Sequence, residues 1–401
     1  MGYTAVSISD AAGARPRSAG TRACVVCGGR EGPEIFRSDL DICGLGRVAF
    51  GVRCCGDCGM VQQDPVVPAE TLVRQYSLFS NYTQFSAGDP PLLSSTARML
   101  ELAARHRLAP GRIYEIGAAT GSALWHFRNY GWDVGGCDPS AKAVEQALAF
   151  NRIALDVGDE AATLGGQSGV DLITLSHVLE HLEDPAASLA RIRLALAPSG
   201  MLMFEVPCLA EPQINPPGLF TLEHLNYFDR TSLANLLART GFEIVEAVVT
   251  RDHWPFPVIT VLARQTEADG ALRREGFGEA MAFCETYVAR DAALWDAVDR
   301  RLRGAVAPGE PVAIWGAGVH TSMLLARTGL ETHARVAAIT DRDTQKLGHR
   351  LGAQTVVSPE AALGLGGKVI VSSYFSEAEI AAGLVGSGVA AERVVRLHHA
   401  R

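Results

Sequence analysis

A glutamate and a histidine stand side by side in the stretch TLEHLNYF, which begins at Thr221. His224 could act as a general base or orient an acceptor, and Glu223 could fix the tautomer of His224 or contact a substrate. A purely structural role is the alternative, because Asp229 is a good N-cap for a helix that begins just after it. In that interpretation, the two aromatic residues before Asp229 pack in the core. The neighbouring elements must decide between the two.

Four cysteines follow the spacing C-x-x-C, a long gap and C-x-x-C again; they are Cys24, Cys27, Cys55 and Cys58. Glycine follows each pair, which lets backbone N–H groups turn toward the sulfur atoms. Four thiolates at tetrahedral reach are the ligand set of a zinc ribbon. Because four protein ligands fill the coordination sphere, we predict a structural zinc with no open position for a substrate. Two unrelated pairs of reduced thiols are the alternative.

A short apolar strand runs into a glycine turn and then a helix in the sequence RIYEIGAATGSALWHF. Gly117 and Gly121 bracket the turn, which follows Glu115 and contains Ala119. Glycine allows close approach of the backbone to a ligand, and a helix N-terminus presents free N–H groups. The spacing G-x-x-x-G differs from the dinucleotide pattern G-x-G-x-x-G and favours S-adenosylmethionine over NAD.

The next predicted strand, in WDVGGCDPS, ends at Asp138. An acid at the tip of the second strand is placed to accept both hydroxyls of a ribose. Its alternative role is the N-cap of the helix that follows in AKAVEQAL. Both roles can hold together only if Ser140 takes the capping.

From about residue 92, helices alternate with apolar strands, which indicates an α/β fold with a parallel sheet covered on both faces. EIGAATGS, CDPS, DLITLSHVLEHLEDP and LAPSGMLMFEVP resemble the successive motifs of class I S-adenosylmethionine-dependent methyltransferases. The resemblance covers about half of the chain. With the cysteine pairs before it and a second nucleotide-fold pattern after it, the chain resembles the three-domain sugar C-methyltransferases, which act on nucleotide-linked 4-keto deoxysugars in antibiotic pathways.

This resemblance implies a Rossmann-like methyltransferase core between a small zinc-ribbon domain and a second Rossmann-like domain. We place a flexible tail at 1–20, the zinc-binding domain at 21–70, the methyltransferase domain at 71–265 and the C-terminal domain at 266–401. The residues expected to bind S-adenosylmethionine are Glu115, Gly117, Ala119, Gly121, Asp138, Pro139, Asp159, Ser176 and His177.

The resemblance also implies the acceptor site. In the family, the stretch that matches Glu223 and His224 carries active-site residues, with a tyrosine two places before the glutamate. Thr221 occupies that position here, so the enzyme must use His224 alone as the base or act on a different acceptor. A loop with the sequence NPPG precedes this stretch and is long enough to form a lid.

Two further residues complete the expected acceptor site. His181 follows strand four at the carboxyl edge of the sheet, where ligands bind in open α/β folds; a cofactor contact without chemistry is the alternative. Tyr76 belongs to an aromatic segment that could fold back onto the same edge, or pack between domains.

A second strand, glycine turn and helix are predicted in PVAIWGAGVHTSMLLARTGL. Gly316 and Gly318 form G-x-G, but Thr321 holds the third glycine position. We therefore favour binding of part of a nucleotide-linked substrate, or a wall of the cleft, over a second dinucleotide cofactor. Trp315 and His320 are placed to touch such a ligand.

The composition limits the partners. The 401 residues carry a formal charge of −8, which argues against nucleic acid or an anionic membrane as a partner. The sequence contains neither a long apolar run nor the apolar centre of a secretion signal, so we expect a cytoplasmic protein, monomeric or homodimeric, with a small-molecule substrate. The prediction is C-methylation of a nucleotide-linked keto-deoxysugar. An O- or N-methyltransferase for another small natural product and a non-catalytic cofactor-binding protein are the alternatives.

Overall fold

The computed structural model describes residues 18–19, 22–79, 89–251, 256–267, 272–273 and 276–398. Most of the predicted N-terminal tail therefore lies outside the described residues. Within them, no helix is both long enough and apolar enough to cross a membrane.

The N-terminal part is an antiparallel sheet beside the cysteine pairs. Its elements are β1 (Ser18–Ala19), β2 (Glu31–Gly32), β3 (Glu34–Ile42), β4 (Gly46–Cys54), β5 (Val61–Gln63) and helix α1 (Ala69–Phe79). In β3, apolar side chains such as Phe36, Leu40 and Ile42 are buried, while Arg37 and Asp41 are exposed. This alternation is typical of a strand with one face in the core.

The middle part carries the sheet with the predicted methyltransferase motifs. Its elements are α2 (Ser94–Arg105), β6 (Arg112–Ile116), α3 (Ser122–Asn129), β7 (Asp133–Asp138), α4 (Ala141–Gln146), β8 (Asp156–Val157), α5 (Glu160–Thr163), β9 (Val170–Ser176), α6 (Pro185–Ala195), β10 (Leu196–Pro207), β11 (Asn226–Tyr227), α7 (Arg230–Arg239), β12 (Phe242–Thr250) and β13 (Val258–Gln265).

Seven of these strands form one sheet among the described residues, in the order β12-β13-β10-β9-β6-β7-β8. The strands from β10 to β8 are parallel, and β12 and β13 form an antiparallel pair at one edge. Strands β6, β9 and β10 are almost entirely buried because helices cover both faces of the sheet. The turns after β6, β7, β9 and β10 consequently meet at one carboxyl edge.

The C-terminal part forms a second parallel sheet. Its elements are α8 (Gly276–Ala305), β14 (Pro311–Trp315), α9 (Val319–Arg327), α10 (Leu330–His333), β15 (Arg335–Thr340), β16 (Arg350–Leu351), β17 (Gln354–Val357), α11 (Pro359–Gly364), β18 (Lys368–Val371), α12 (Glu377–Gly386) and β19 (Val394–Arg396). The strand order is β16-β17-β15-β14-β18-β19, with only β16 antiparallel among the strands described. The predicted α/β class with two Rossmann-like sheets is confirmed.

Two contacts join parts that are far apart in sequence. Strand β11, from the middle of the chain, extends the N-terminal sheet by pairing with β5. A shared core cluster contains Phe36 of β3, Phe220 of the loop between β10 and β11, and Tyr287 of α8. The segment between β10 and α7 is therefore packed between the N-terminal sheet and α8. The predicted domain boundaries near residues 70 and 265 stay predictions.

Candidate functional site

The glycine turn after β6 brings the backbone very close to its neighbours. Gly117 and Gly121 have φ values of +71° and +70°, in the left-handed region that favours glycine. A Cβ at Gly117 would lie 2.5 Å from the Val178 side chain, so any larger residue would push the turn away from the loop after β9. Ala119 adopts a φ of +48° between the two glycines. Helix α3 begins after the turn with Gly121 as its N-cap residue, so no side chain of that residue caps the first N–H groups of the helix.

Asp138 lies at the end of β7 and fixes this turn through its carboxylate. Oδ2 accepts a hydrogen bond from the Ala119 N–H at 2.8 Å, and Oδ1 accepts one from the Ser140 N–H at 2.9 Å. Ser140, not Asp138, caps α4, because its hydroxyl accepts a hydrogen bond from Ala143 N–H. Each carboxylate oxygen can accept one more hydrogen bond, which leaves Asp138 able to bind a pair of hydroxyls.

Glu115 supplies a buried polar group at the same place. Its side chain is only 3% exposed, and among the described residues Oε2 has no hydrogen-bond partner. Desolvation, with a smaller contribution from the nearby charge of Asp138, raises the pKa of Glu115 to about 8. A buried oxygen without a partner is expected where a polar ligand completes the site. The turn, Asp138 and Glu115 together fit an adenosyl donor.

The remaining predicted donor-site residues lie at the same edge. Ser176 is the last residue of β9, and Pro139 follows β7 and is exposed. Asp159 accepts a hydrogen bond from Ala162 N–H at 2.9 Å and thereby caps α5. Their roles in cofactor binding stay predictions.

His177 lies in a chain of buried charges next to this turn. Its two ring nitrogens are each 3.4 Å from a carboxylate, Nδ1 from Glu180 and Nε2 from Glu205. Desolvation lowers the pKa of His177, but the two carboxylates outweigh it and raise the pKa to about 9. Arg98 of α2 donates to both oxygens of Glu205, at 2.7 and 2.5 Å. His177 thus carries a positive charge beside the donor turn.

The opening pair, Glu223 and His224, faces His181. Nδ1 of His181 is 2.9 Å from the carbonyl oxygen of Glu223, so Nδ1 carries the proton and donates it. The rings of His181 and His224 are edge-to-face, with centroids 4.9 Å apart. The pKa of His224 is lowered to about 3, mainly by desolvation. The structure therefore brings three of the predicted acceptor-site residues into one cluster.

The structural interpretation of this stretch also holds. Asp229 accepts a hydrogen bond from Ser232 N–H and forms a capping box at the start of α7. Tyr227 and Phe228 are buried, as the alternative predicted. The stretch therefore leads directly into a helix cap at Asp229 and also presents a histidine to the sheet edge, so the two interpretations do not exclude each other.

Two glutamines that no sequence pattern singled out hold this loop. The side-chain amide of Gln63 in β5 lies 2.9, 3.1 and 3.0 Å from the carbonyl oxygens of Thr221, Leu222 and His224. Gln75 of α1 donates to Oε1 of Glu223 at 3.1 Å. The side chain of Tyr76, next to Gln75, lies outside the described residues, and its predicted role stays a prediction.

The loop before the cluster, expected to form a lid, is anchored to α8. The hydroxyl of Tyr287 donates to the Pro216 carbonyl and accepts from the Leu219 N–H, both at 2.8 Å. Arg290 donates to the carbonyl oxygens of Pro212 and Asn215 at 2.7 Å. These bonds fix the loop in the position seen.

The four predicted zinc ligands form one cluster. All four sulfur atoms lie within 4.8 Å of one another, with Cys24 to Cys58 at 3.6 Å and Cys27 to Cys55 at 3.4 Å. The N–H of Gly29 points to Cys27 Sγ at 3.4 Å, as the glycine after the pair predicted. Four sulfurs at 2.3 Å from a tetrahedral zinc are about 3.8 Å apart, so the cluster has the right size and ligand type.

A cleft of about 500 Å³ runs from Thr221 and Glu223 to the C-terminal sheet. Its far wall contains the second glycine turn, two cations and several hydroxyl groups: Trp315, Gly316, Gly318, His320, Arg342, Lys346, Ser372, Ser373 and Tyr374. Asp341 at the end of β15 already binds Ala317 N–H, Asp343 N–H and the Lys346 ammonium. The acceptor loop and the second glycine turn thus line the same cavity.

The matched family agrees with this geometry. Residues 92–247 match the family model described as a methyltransferase domain. This stretch contains the glycine turn, Asp138 and the loop after β9. The protein therefore contains an S-adenosylmethionine-dependent methyltransferase domain, as the motifs predicted.

Comparison with known proteins finds a relative and two solved structures that are named as methyltransferases. The chain is 28% identical over 315 residues to the C-methyltransferase NovU of Streptomyces niveus, an alignment that covers 72% of each protein. The crystal structure of the 1,6-didemethyltoxoflavin-N1-methyltransferase of Burkholderia thailandensis is 19% identical, covering 49% of this chain and 87% of that chain with a TM-score of 0.39. The crystal structure of the magnesium protoporphyrin IX methyltransferase of Synechocystis PCC 6803 is 17% identical, covering 49% of this chain and 100% of that chain with a TM-score of 0.41.

Proposed function

We propose that this enzyme methylates a carbon next to the ketone of a nucleotide-linked deoxysugar in natural-product biosynthesis. The observation that carries the proposal is the cleft that joins Glu223 of the acceptor loop to the glycine turn of the C-terminal sheet. A cavity of about 500 Å³ has the size of pockets that enclose ligands of this kind. The likeness to a protein named as a C-methyltransferase supports carbon as the acceptor atom.

The C-terminal end of the cleft suits the nucleotide. Helix α9 starts after Gly318, which provides no side-chain cap, so its first N–H groups are available to phosphate oxygens. Arg342 stands 5.9 Å from the centre of the Trp315 ring, which adds a cation and an aromatic face. The Asp341 carboxylate already accepts hydrogen bonds from three donors, including Lys346, so it is a poor acceptor for the hydroxyls of a ribose. We therefore assign this end to a substrate diphosphate and base rather than to a dinucleotide cofactor.

The chemistry is divided between the donor site and the acceptor site. S-adenosylmethionine supplies an electrophilic methyl group on a sulfonium, and Glu115, Asp138 and the glycine turn would hold it. A carbon acceptor needs a base to remove its proton and donors to hold the enolate oxygen. We propose His224 as the base, in contact with His181 across a ring distance of 4.9 Å.

Glu223 points into the cleft and receives a hydrogen bond from Gln75, so we propose that it contacts the sugar. Thr221 replaces the family tyrosine, and its hydroxyl accepts a hydrogen bond from the backbone N–H of His224 at 3.2 Å. A threonine there cannot reach as far as a tyrosine, which leaves proton transfer to the histidines and more room for the acceptor.

We also propose a structural zinc at the four cysteines. Its role is to fix the two C-x-x-C turns next to β5, the strand from which Gln63 reaches the acceptor loop. Four thiolates close the coordination sphere, so the metal takes no part in the transfer.

The test is incubation with labelled S-adenosylmethionine and a panel of nucleotide-linked keto-sugars, with mass spectrometry to locate the methyl group. We expect methylation at carbon, and a loss of about 10²- to 10⁴-fold in kcat for His224→Asn. His349→Asn, a change outside the cleft, is the control and keeps its activity. Methylation of a hydroxyl or an amine compound, with none of any keto-sugar, would replace the proposal with an O- or N-methyltransferase.

A further inference from the structure

Glu180 holds a buried carboxylate next to the acceptor histidines. It lies in the single helical turn after β9, and its side chain is 1% exposed. Nδ1 of His177 is 3.4 Å from Oε1, Nε2 of His181 is 3.8 Å away, and a ring nitrogen of His224 lies within 4.8 Å. Among the described residues, neither carboxylate oxygen has a partner within hydrogen-bond geometry. Three imidazoles therefore surround one buried negative charge.

The carboxylate is not needed to hold the turn. Other bonds do so: the Glu180 carbonyl accepts from the Leu225 backbone N–H at 2.9 Å, and the side-chain amide of Asn226 donates to the Leu182 carbonyl at 2.7 Å. The ion pair with His177 offsets part of the cost of burying this ionised carboxylate, but no hydrogen bond of good geometry from the described residues supports it. A charge kept under these conditions points to a function.

The tautomer of His181 indicates what that function is. Its Nδ1–H donates to the Glu223 carbonyl, so Nε2 is the nitrogen that can accept a proton, and Nε2 faces Glu180. A proton that arrives on this ring, or on the His224 ring in edge-to-face contact with it, creates a cation beside the carboxylate. In a buried site, that attraction is much stronger than in water.

His224 by itself is a weak base. Desolvation and the neighbouring His181 lower the pKa of His224 to about 3, while Glu180 acts in the opposite direction. Among the described residues, the other charged groups facing the cluster are His177, balanced between Glu180 and Glu205, and Glu223 at the cleft. In the described part of the chain, Glu180 is the buried anion closest to both histidines of the pair.

We propose that Glu180 is a positioning residue that stabilises the proton taken by the His181–His224 pair from the acceptor carbon. The C–H bond breaks, its electron pair becomes the enolate, and the proton joins a ring nitrogen. The enolate carbon then forms a bond to the methyl group while the C–S electron pair stays on sulfur, and the proton later leaves to water. This inference rests on the proposed function.

Proton removal can be measured apart from methyl transfer. The keto-sugar that the wild type methylates is incubated in D₂O with S-adenosylhomocysteine, which has no methyl group to give, and mass spectrometry follows deuterium at the acceptor carbon. Glu180→Gln removes the charge and keeps the shape. Glu183→Gln, an exposed glutamate three residues further on, is the matched control.

We expect Glu180→Gln to slow exchange at least about 100-fold, with the KM of the sugar and the Kd of the donor within about threefold of wild type. The acid limb of the exchange rate should move to lower pH, because the histidines lose the anion that raises the pKa of His224. Glu183→Gln should exchange at the wild-type rate.

Exchange within threefold of wild type in Glu180→Gln would overturn the inference and leave the proposed function intact. Binding of manganese by the zinc-loaded wild type that is lost in Glu180→Gln would also overturn it, because Glu180 would then be a metal ligand. No exchange by the wild type with any keto-sugar would overturn both proposals. If Glu180→Gln does not fold, Glu180→Asp takes its place, because it moves the carboxylate one methylene away from the histidines. An unchanged exchange rate in Glu180→Asp refutes the inference.

Discussion

Gln63 offers the sharpest test of how the N-terminal sheet positions the acceptor site. Its side chain is fully buried and its amide reaches the carbonyl oxygens of Thr221, Leu222 and His224 at 2.9 to 3.1 Å. Its Oε1 also accepts from the Val67 N–H at 3.2 Å. Gln63→Met keeps the length and volume of the side chain and removes all of these bonds.

The magnitude follows from the number of bonds lost. Each intramolecular hydrogen bond contributes about 0.5–1.5 kcal/mol net, and the amide has two protons to share among the three carbonyls, so we expect a loss of about 2–4 kcal/mol. In a cooperative unit of about 150–250 residues, that loss lowers the Tm by about 4–16 °C. A displacement of the loop by about 1 Å moves the histidine away from its acceptor and lowers kcat about 100-fold.

The assay combines thermal unfolding with turnover and donor titration. Gln62→Met is the matched control, because Gln62 is also buried and its amide bonds to Ala23 and Val25 near the cysteine cluster instead of the acceptor loop. Both variants should lose thermal stability, but only Gln63→Met should lose kcat while its Kd for the donor stays within about twofold. Metal content, measured in both, shows whether the zinc cluster is intact.

A Gln63→Met variant with wild-type kcat would refute the idea that this amide positions the acceptor loop. Equal loss of kcat in both variants would point to general damage of the N-terminal sheet. Wild-type turnover in Gln63→Asn, whose shorter side chain cannot span the same distance, would contradict the hydrogen-bond geometry.

Three further changes test other parts of the site. Asp138→Asn should weaken donor binding about 10- to 100-fold in calorimetry, because the neutral amide cannot accept on both atoms; an unchanged Kd would remove Asp138 from the donor site. Cys27→Ser, or a strong chelator, should remove zinc and lower the Tm, and full stability without metal would contradict a structural role. His177→Gln should lower the Tm at pH 6, and the difference should vanish by about pH 9.5. The raised pKa of His177, about 9 against 6.5 without its partners, means that its ion pairs with Glu180 and Glu205 contribute below pH 6.5 and are lost as the pH rises through 9; a Tm difference independent of pH would refute this.

The local patterns of the sequence were sufficient for much of the fold. Strand periodicity and the glycine turns predicted both parallel sheets, because backbone conformation and side-chain alternation depend on neighbouring residues. The cysteine spacing predicted a cluster that the structure brings within 4.8 Å. Ser140 as the cap of α4 could also be named from its position beside Asp138.

Contacts between distant segments had no such signal. Strand β11 is two residues long and gains its place from pairing with β5, so no periodicity could announce it. Gln63 lies 158 residues from Thr221, and a lone glutamine on a short strand is most often a surface residue. Arg98 reaches Glu205 across 107 residues for the same reason.

The sequence by itself determined which residues could do chemistry and which elements would carry them. Motif spacing, apolar alternation and capping residues act within a few positions along the chain, and that information is local. Only the tertiary structure decided that Glu180 lies beneath His181 and His224, and that Gln63 holds their loop. Those relations depend on how separate sheets pack, and packing is set by the whole core rather than by any one stretch.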